Sequence, residues 1–143
     1  MFLVLETITF LSSALCIGGM VFFAIVVAPM VFIHLDDKNA GKLIRAIFPW
    51  YYLYVIITAI IPAVVYGYQS SIAGLGFFLA LMTALYARQI LMNKINKARD
   101  AMISEEEGAE QRFKKFHKLS VRLNAVGLIA VFVSIIYIGS STS

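Results

Sequence analysis

Four long apolar segments make up most of this chain, and they restrict its fold more than any other feature. A helix needs about 20 apolar residues to cross the hydrocarbon core of a bilayer, which is roughly 30 Å thick. The chain has 143 residues, of which 61% are hydrophobic and only 14% charged, and a soluble domain of this size could not bury so much apolar surface. The sequence therefore predicts one all-α integral membrane domain over residues 1–143, an antiparallel four-helix transmembrane bundle with spans at about 2–33, 47–68, 72–91 and 119–138.

The Lys and Arg residues predict how this bundle sits in the membrane. All twelve lie in two stretches, one from Lys38 to Arg45 and one from Arg88 to Arg122. Cytoplasmic loops collect basic residues, so we expect an inner-membrane protein with its N- and C-termini on the outer, periplasmic side. Attraction to the lipid bilayer and its anionic headgroups explains the net charge of +4, and no nucleic-acid partner is expected.

The first segment is predicted to be a retained membrane helix rather than a signal peptide. It lacks a basic N-terminal region and has no small-residue cleavage site before Pro29, and its length predicts a tilt or a kink at that proline. Pro62 predicts a bend in the second span, because it leaves the Thr58 carbonyl without its helical partner. Gly18 and Gly19 are predicted to let another helix backbone approach closely.

A short amphipathic helix is predicted in the cytoplasmic interface before the second span. Its apolar residues recur at helical spacing and are Ala40, Leu43, Ile44, Ile47 and Phe48. Pro49 is expected to end this helix, because a residue that precedes proline disfavours the α region. The aromatic residues that follow are expected to form a belt at headgroup level, and they are Trp50, Tyr51, Tyr52 and Tyr54.

A cytoplasmic helical hairpin over about 92–118 is predicted to extend the third and fourth helices beyond the membrane. Apolar residues on both sides of its tip are spaced four and three residues apart, which favours a short antiparallel coiled pair. The pairs expected to lie close together are Ile95 with Phe116 and Ala98 with Phe113. Ser104 and Glu107 have capping-box spacing, so the third helix is expected to reach about Met102 and the fourth to begin at Glu105.

One candidate polar site lies at the cytoplasmic end of the third and fourth helices, and its residues are Arg88, His117, Arg122 and Asn124. Polar side chains in a span usually face the bundle interior, where they mark a site or an interhelical bond. In the simpler interpretation the arginines extend to the membrane surface and Asn124 fixes helix packing. The simpler interpretation is favoured, with a functional site kept as the alternative.

The sequence contains no motif typical of an enzyme, such as a phosphate loop, a zinc pattern or a nucleophile elbow. His34 and His117 are its only histidines, and imidazoles on facing helices are able to ligate one haem iron. Two interfacial histidines with ordinary hydrogen bonds are the favoured interpretation. No cofactor, metal site or catalytic residue is therefore predicted, with haem kept as an alternative, and the balance favours a protein that is not an enzyme.

Several blocks of the chain resemble the transmembrane protein 205-like family. They are Gly18–Phe23 with Ala28 and Pro29, Leu35–Gly41 leading to Phe48–Tyr52, Tyr86–Arg88, and Phe116–Asn124. The resemblance implies a four-helix membrane bundle without an agreed biochemical activity; bacterial members form a domain of unknown function, and a eukaryotic relative is associated with platinum-drug resistance. The matching residues are Gly19, Pro29, Pro49, Arg88, His117 and Asn124. His34 departs from the basic Arg usual in the family, which weighs against a paired-histidine haem.

Outside the predicted spans, the hairpin has the clearest sequence pattern, and the predicted function is based on it. We expect a non-enzymatic accessory subunit or partner-binding module of a membrane complex, with the hairpin in contact with another membrane protein or a second copy of the chain. The alternative is a membrane protein that binds haem or a metal, or handles a small solute or toxicant, at the candidate polar site.

Overall fold

Four long helices form the protein, as seen in a computed structural model that describes residues 2–141 apart from the side chains of Phe2 and Ser71. Helix α1 consists of Phe2–Phe22, a π-helical turn at Phe23–Val27 and the segment Ala28–His34. Helix α2 spans Asp37–Gln69. Helix α3 consists of Ser71–Tyr86, a π-helical turn at Ala87–Leu91 and the segment Met92–Ile103, and helix α4 spans Ala109–Ser141. The four helices are long and apolar enough to cross a membrane, and residues 2–141 contain no strand, so the predicted all-α four-helix fold is confirmed.

Glycines bring α3 close to both of its neighbours. A Cβ atom on Gly74 would overlap the backbone of Gly67 in α2, and one on Gly76 would overlap the Ala130 carbonyl in α4. The Gly76 N–H also donates to Ser134 Oγ at 3.1 Å. Helix α1 packs mainly against α2 and meets α4 only sparingly. The bundle is therefore tight around α3 and leaves a gap between α1 and α4.

The π-helical turn in α1 has a local cause in Pro29. A proline has no N–H to donate, and its ring collides with the carbonyl four residues earlier, which here belongs to Ile25 inside the turn. Widening the turn relieves this collision, and the Ala28 N–H bonds to the Phe23 carbonyl, five residues back. The irregularity predicted at Pro29 is thus present as a π-helical turn just before it, a recognised cause of helix bending.

The prediction that Pro49 ends a separate interfacial helix is wrong. Helix α2 runs unbroken over Asp37–Gln69 and contains both Pro49 and Pro62. A proline inside a helix costs about 3 kcal/mol or more in isolation, but here a neighbouring helix holds the segment that precedes it. Arg99 of α3 donates from Nη2 to the Asp37 carbonyl at 2.6 Å. The predicted amphipathic helix is therefore the first part of α2.

The connection between α3 and α4 also differs from the prediction. Helix α3 ends at Ile103, which confirms the extension, but α4 begins at Ala109 rather than at Glu105. Glu105 has a φ of 57° and Gly108 a φ of 70°. A continuous right-handed helix excludes this left-handed backbone, so Ser104 caps the end of α3 instead of opening α4. The two arms of the predicted hairpin do pack together, and the particular side-chain pairs stay predictions.

Candidate functional site

A crevice between α1 and α4 lies toward the basic end of the bundle, the end that carries the Lys and Arg residues. Its volume is about 290 Å³, near the lower end of the range of about 300–1,000 Å³ that is typical of small-molecule pockets. Helix α1 lines it between Met20 and Phe32, and α4 lines it between His117 and Leu128. At 1.5 Å per residue the α4 wall is about 16 Å long, close to half the thickness of a hydrocarbon core of roughly 30 Å.

Aromatic rings form the back of this crevice. Phe23 of α1 stacks on Tyr51 of α2 with ring centroids 4.0 Å apart and an interplanar angle of 20°, and Phe48 meets Phe23 edge-on at 5.2 Å. Tyr51 and Tyr52 are only 8% and 1% exposed, so their predicted place in an interfacial belt is wrong. Both lie on the face of α2 that packs inside the bundle, whereas Trp50 points outward with 72% of its surface exposed.

Polar groups of the crevice come from one face of α4, where His117, Ser120 and Asn124 are three and four residues apart. The Asn124 Nδ2 donates to the hydroxyl of buried Tyr52 at 3.3 Å. Ser120 is buried, and the His117 ring stacks on Phe113 with centroids 5.9 Å apart. Asn124 therefore makes the interhelical bond of the simpler interpretation and also lines the crevice.

The two arginines of the predicted polar site lie elsewhere. Arg88 is in the π-helical turn of α3, and its Nε donates to the Pro49 carbonyl of α2 at 3.3 Å. This bond fastens α3 to α2 beside the proline. Arg122 is exposed and lines neither the crevice nor the cavity described next. The structure thus brings His117 and Asn124 together along one wall and separates Arg88 and Arg122 from them.

A smaller cavity adjoins the crevice at the basic end. Its volume is about 100 Å³, several times the roughly 30 Å³ that one water molecule occupies in the liquid. The two spaces share the lining residues Phe32, Phe48, His117 and Ser120. The cavity is also lined by Arg45 of α2 and Arg99 of α3, and by no acidic residue of the described chain. An apolar crevice therefore lies next to a cavity that two arginines line.

The two arginines of this cavity are held in different ways. Arg45 donates from Nη2 to Asp100 Oδ1 at 2.6 Å, and both side chains of this ion pair are partly exposed. Arg99 donates to the Asp37 main-chain carbonyl at 2.6 Å, and its guanidinium occupies the space that a Cβ atom on Gly41 would need. Between residues 2 and 141, no carboxylate forms an ion pair with Arg99.

The glycines and the proline predicted to have structural roles have different surroundings. A Cβ atom on Gly19 would overlap the Tyr54 ring, whose hydroxyl donates to the Leu15 carbonyl at 2.6 Å. Gly18 faces open space. The prediction that another helix backbone approaches here is therefore wrong for Gly18, and at Gly19 the nearest atoms are those of the Tyr54 side chain, which a Cβ atom would displace. Pro62 is buried inside α2, and the bend expected there stays a prediction.

Comparison with protein families matches residues 11–104 to the family described as Domain of unknown function (DUF4149). The chain belongs to this family. The DUF4149 match covers the larger part of the chain, from within α1 to the turn after α3. It includes the α1 wall of the crevice, Arg45 and Arg99, and it stops before the α4 wall with His117 and Asn124. Comparison with curated proteins and with solved structures finds no match.

The sequence did not predict the crevice, and it did not identify Arg45 and Arg99 as residues that line a cavity. The seven-residue separation of His117 and Asn124 did predict a shared helix face, because that distance is close to two helical turns. Nothing in the sequence linked Arg99 to Gly41, since their contact depends on how α2 and α3 pack. No group of three or more His, Cys, Asp or Glu residues able to hold a metal ion occurs in the described part of the chain.

Proposed function

We propose that this DUF4149 protein binds a small amphipathic molecule in the crevice between α1 and α4. The observation that carries the proposal is the row of His117, Ser120 and Asn124 along one wall of an otherwise apolar space. A mostly apolar pocket with a few polar groups is the usual form of a small-molecule site. The proposal keeps the solute-handling alternative raised by the sequence, with α1 rather than α3 opposite α4.

The proposed setting is the inner membrane, with both termini outside, because cytoplasmic loops collect basic residues. In that orientation the crevice opens into the cytoplasmic leaflet and its polar end faces the cytoplasm. Resemblance to the transmembrane protein 205-like family supports the handling of a small molecule, since a eukaryotic relative is associated with drug resistance. A paired-histidine haem has less support, because His34 lines neither the crevice nor the adjoining cavity.

Photocrosslinking tests the proposal on protein purified in detergent, with a diazirine-labelled fatty acid as the probe. Adducts should concentrate on residues that line the crevice, such as Ala24, Ala28 and Ala125. The variant Ala125→Trp fills the crevice and should reduce the adduct yield several-fold. The matched control is Ile129→Trp, because Ile129 is 63% exposed on the same helix and lies outside the crevice. An even spread of adducts over all four helices, or an unchanged yield in Ala125→Trp, would rule out the crevice as the binding site.

Partner binding through the hairpin is a second candidate function, favoured by the way the hairpin is attached. The Arg45–Asp100 ion pair and the bond from Arg99 to the Asp37 carbonyl both join the extension of α3 to the start of α2. A hairpin braced in this way presents a fixed charged surface outside the predicted spans, as an accessory subunit or partner-binding module would need.

Co-purification from native membranes tests this second function. Replacing tip residues 104–108 by a Gly-Ser linker should release a bound membrane protein while leaving photocrosslinking in the crevice unchanged. A protein that purifies alone as a monomer, and whose association in cells is the same with the altered tip, would exclude the partner-binding function.

A further inference from the structure

We infer that the occupant of the crevice is an anionic phospholipid whose phosphate lies in the adjoining cavity beside Arg45 and Arg99, an inference that rests on the proposed binding function. The crevice and the cavity share four lining residues, so the two spaces lie side by side, and the inferred molecule lies across both. One of its two acyl chains lies between α1 and α4, and its charged group lies between α2 and α3. A phospholipid has these two parts, an apolar part and a charged headgroup.

The length of the crevice fits one acyl chain of a lipid in a single leaflet, and its volume of about 290 Å³ leaves the second chain in the surrounding bilayer. The α4 wall is about 16 Å long, and one leaflet contributes about half of a hydrocarbon core that is roughly 30 Å thick. Arg45 and His117 each lie two residues outside the predicted spans 47–68 and 119–138, a distance of about 3 Å along a helix. These two residues are therefore at the depth of lipid headgroups, and Arg99, eight residues or about 12 Å beyond the predicted span 72–91, lies at the outer edge of that layer.

The charges of the cavity select an anionic headgroup. Arg45 already has a carboxylate partner in Asp100, whereas Arg99 bonds to a main-chain carbonyl. A guanidinium binds phosphate oxygens through parallel charge-assisted hydrogen bonds, so Arg99 has donors suited to a phosphate. Asn96 and Ser120 line the same cavity and add uncharged donors. A zwitterionic lipid would bring its own cation close to these arginines, and the like charges would repel. The cytoplasmic leaflet is also rich in anionic lipids.

Native mass spectrometry of the full chain in detergent, with phosphatidylglycerol or phosphatidylcholine added, tests this site. The wild-type protein should retain one phosphatidylglycerol, bound about tenfold more tightly than phosphatidylcholine, as expected for one set of charge-assisted bonds. Arg99→Gln should remove most of this preference. Arg122→Gln is the matched control, because it removes the same charge at an exposed position outside both spaces.

The outcomes separate this inference from the proposed function. Equal retention of both lipids, lost in Ala125→Trp, would overturn the phospholipid assignment and leave binding of an amphipathic molecule in place. Absence of both a retained lipid and a crevice adduct would overturn both. An equal loss of preference in Arg99→Gln and Arg122→Gln would overturn the cavity as the headgroup site. Arg99→Lys keeps the charge without the paired donors and should show an intermediate preference; a preference equal to that of the wild type would contradict the role of Arg99.

Discussion

Glycine and arginine residues make several of the contacts that hold the helices together. Gly76 brings the backbones of α3 and α4 into contact at the Ala130 carbonyl, and Arg88 bonds across to the carbonyl of Pro49 in α2. Interhelical contacts of this kind matter in lipid, where close packing and hydrogen bonds replace the hydrophobic effect as the force between helices. A single added methyl group is therefore a sensitive probe of the close approach at Gly76.

Gly76→Ala is expected to destabilise the protein by about 1–3 kcal/mol, the usual cost of overpacking a tight contact. The new Cβ would overlap the Ala130 carbonyl and Ser134 Oγ, both of which α4 holds in place. Gly18→Ala is the matched control, since Gly18 faces open space, and it should leave stability unchanged or raise it by up to about 1 kcal/mol, because Ala favours a helix more than Gly does. Reversible unfolding in mixed detergent micelles measures both, and similar losses from the two variants would contradict the close approach at Gly76.

Helix α2 and the start of α4 show how tertiary contacts override local signals in whole elements. Pro49 has the local character of a helix boundary, yet α2 continues through it. Two hydrogen bonds from α3 hold this part of α2, one from Arg99 to a carbonyl of its first turn and one from Arg88 to the Pro49 carbonyl. The capping-box spacing after Ser104 is a start signal, yet the chain makes a left-handed turn there and begins α4 at Ala109. The existence of both helices followed from the sequence, and their ends did not.

Substitutions in the turn between α3 and α4 should have opposite signs. Gly108→Ala is expected to destabilise the turn by about 1 kcal/mol, because its φ of 70° is costly for a residue with a Cβ atom. Glu105→Gly removes a Cβ from a φ of 57° and should stabilise the turn by up to about 1 kcal/mol. Amide hydrogen exchange over residues 100–112 measures both effects. Glu107→Gly is the control, and a gain as large as that of Glu105→Gly would contradict the assignment of strain to Glu105.

The whole molecule is a bundle with one basic end, and both proposed functions use that end. The crevice opens beside it, the charged cavity lies within it, and the hairpin projects from it. An orientation with this end in the cytoplasm places the Lys and Arg residues next to anionic headgroups. The connection between α2 and α3, at the opposite end, is short and carries no basic residue.

Cysteine labelling in intact cells should reveal this orientation. A thiol introduced as Gln69→Cys is expected to react with a membrane-impermeant maleimide from outside, and one introduced as Glu106→Cys only after the cells are permeabilised. The native Cys16 is buried and should contribute little background, which the unmodified protein checks. Labelling of Glu106→Cys in intact cells, with protection of Gln69→Cys, would show the reverse orientation and move the crevice to the outer leaflet.

The local sequence was sufficient to predict the number of helices, their membrane-spanning length and the extension of α3. These features follow from runs and spacings of apolar residues, which consecutive residues alone define. The local sequence also predicted that His117 and Asn124 share a helix face. Contacts between distant parts of the chain were needed for the continuity of α2, the burial of Tyr51 and the crevice beside α4. These features depend on which helix packs against which, and in particular on α1 meeting α4 so sparingly. Spacing along one helix carries no information about such a gap, which exists only once the bundle has formed.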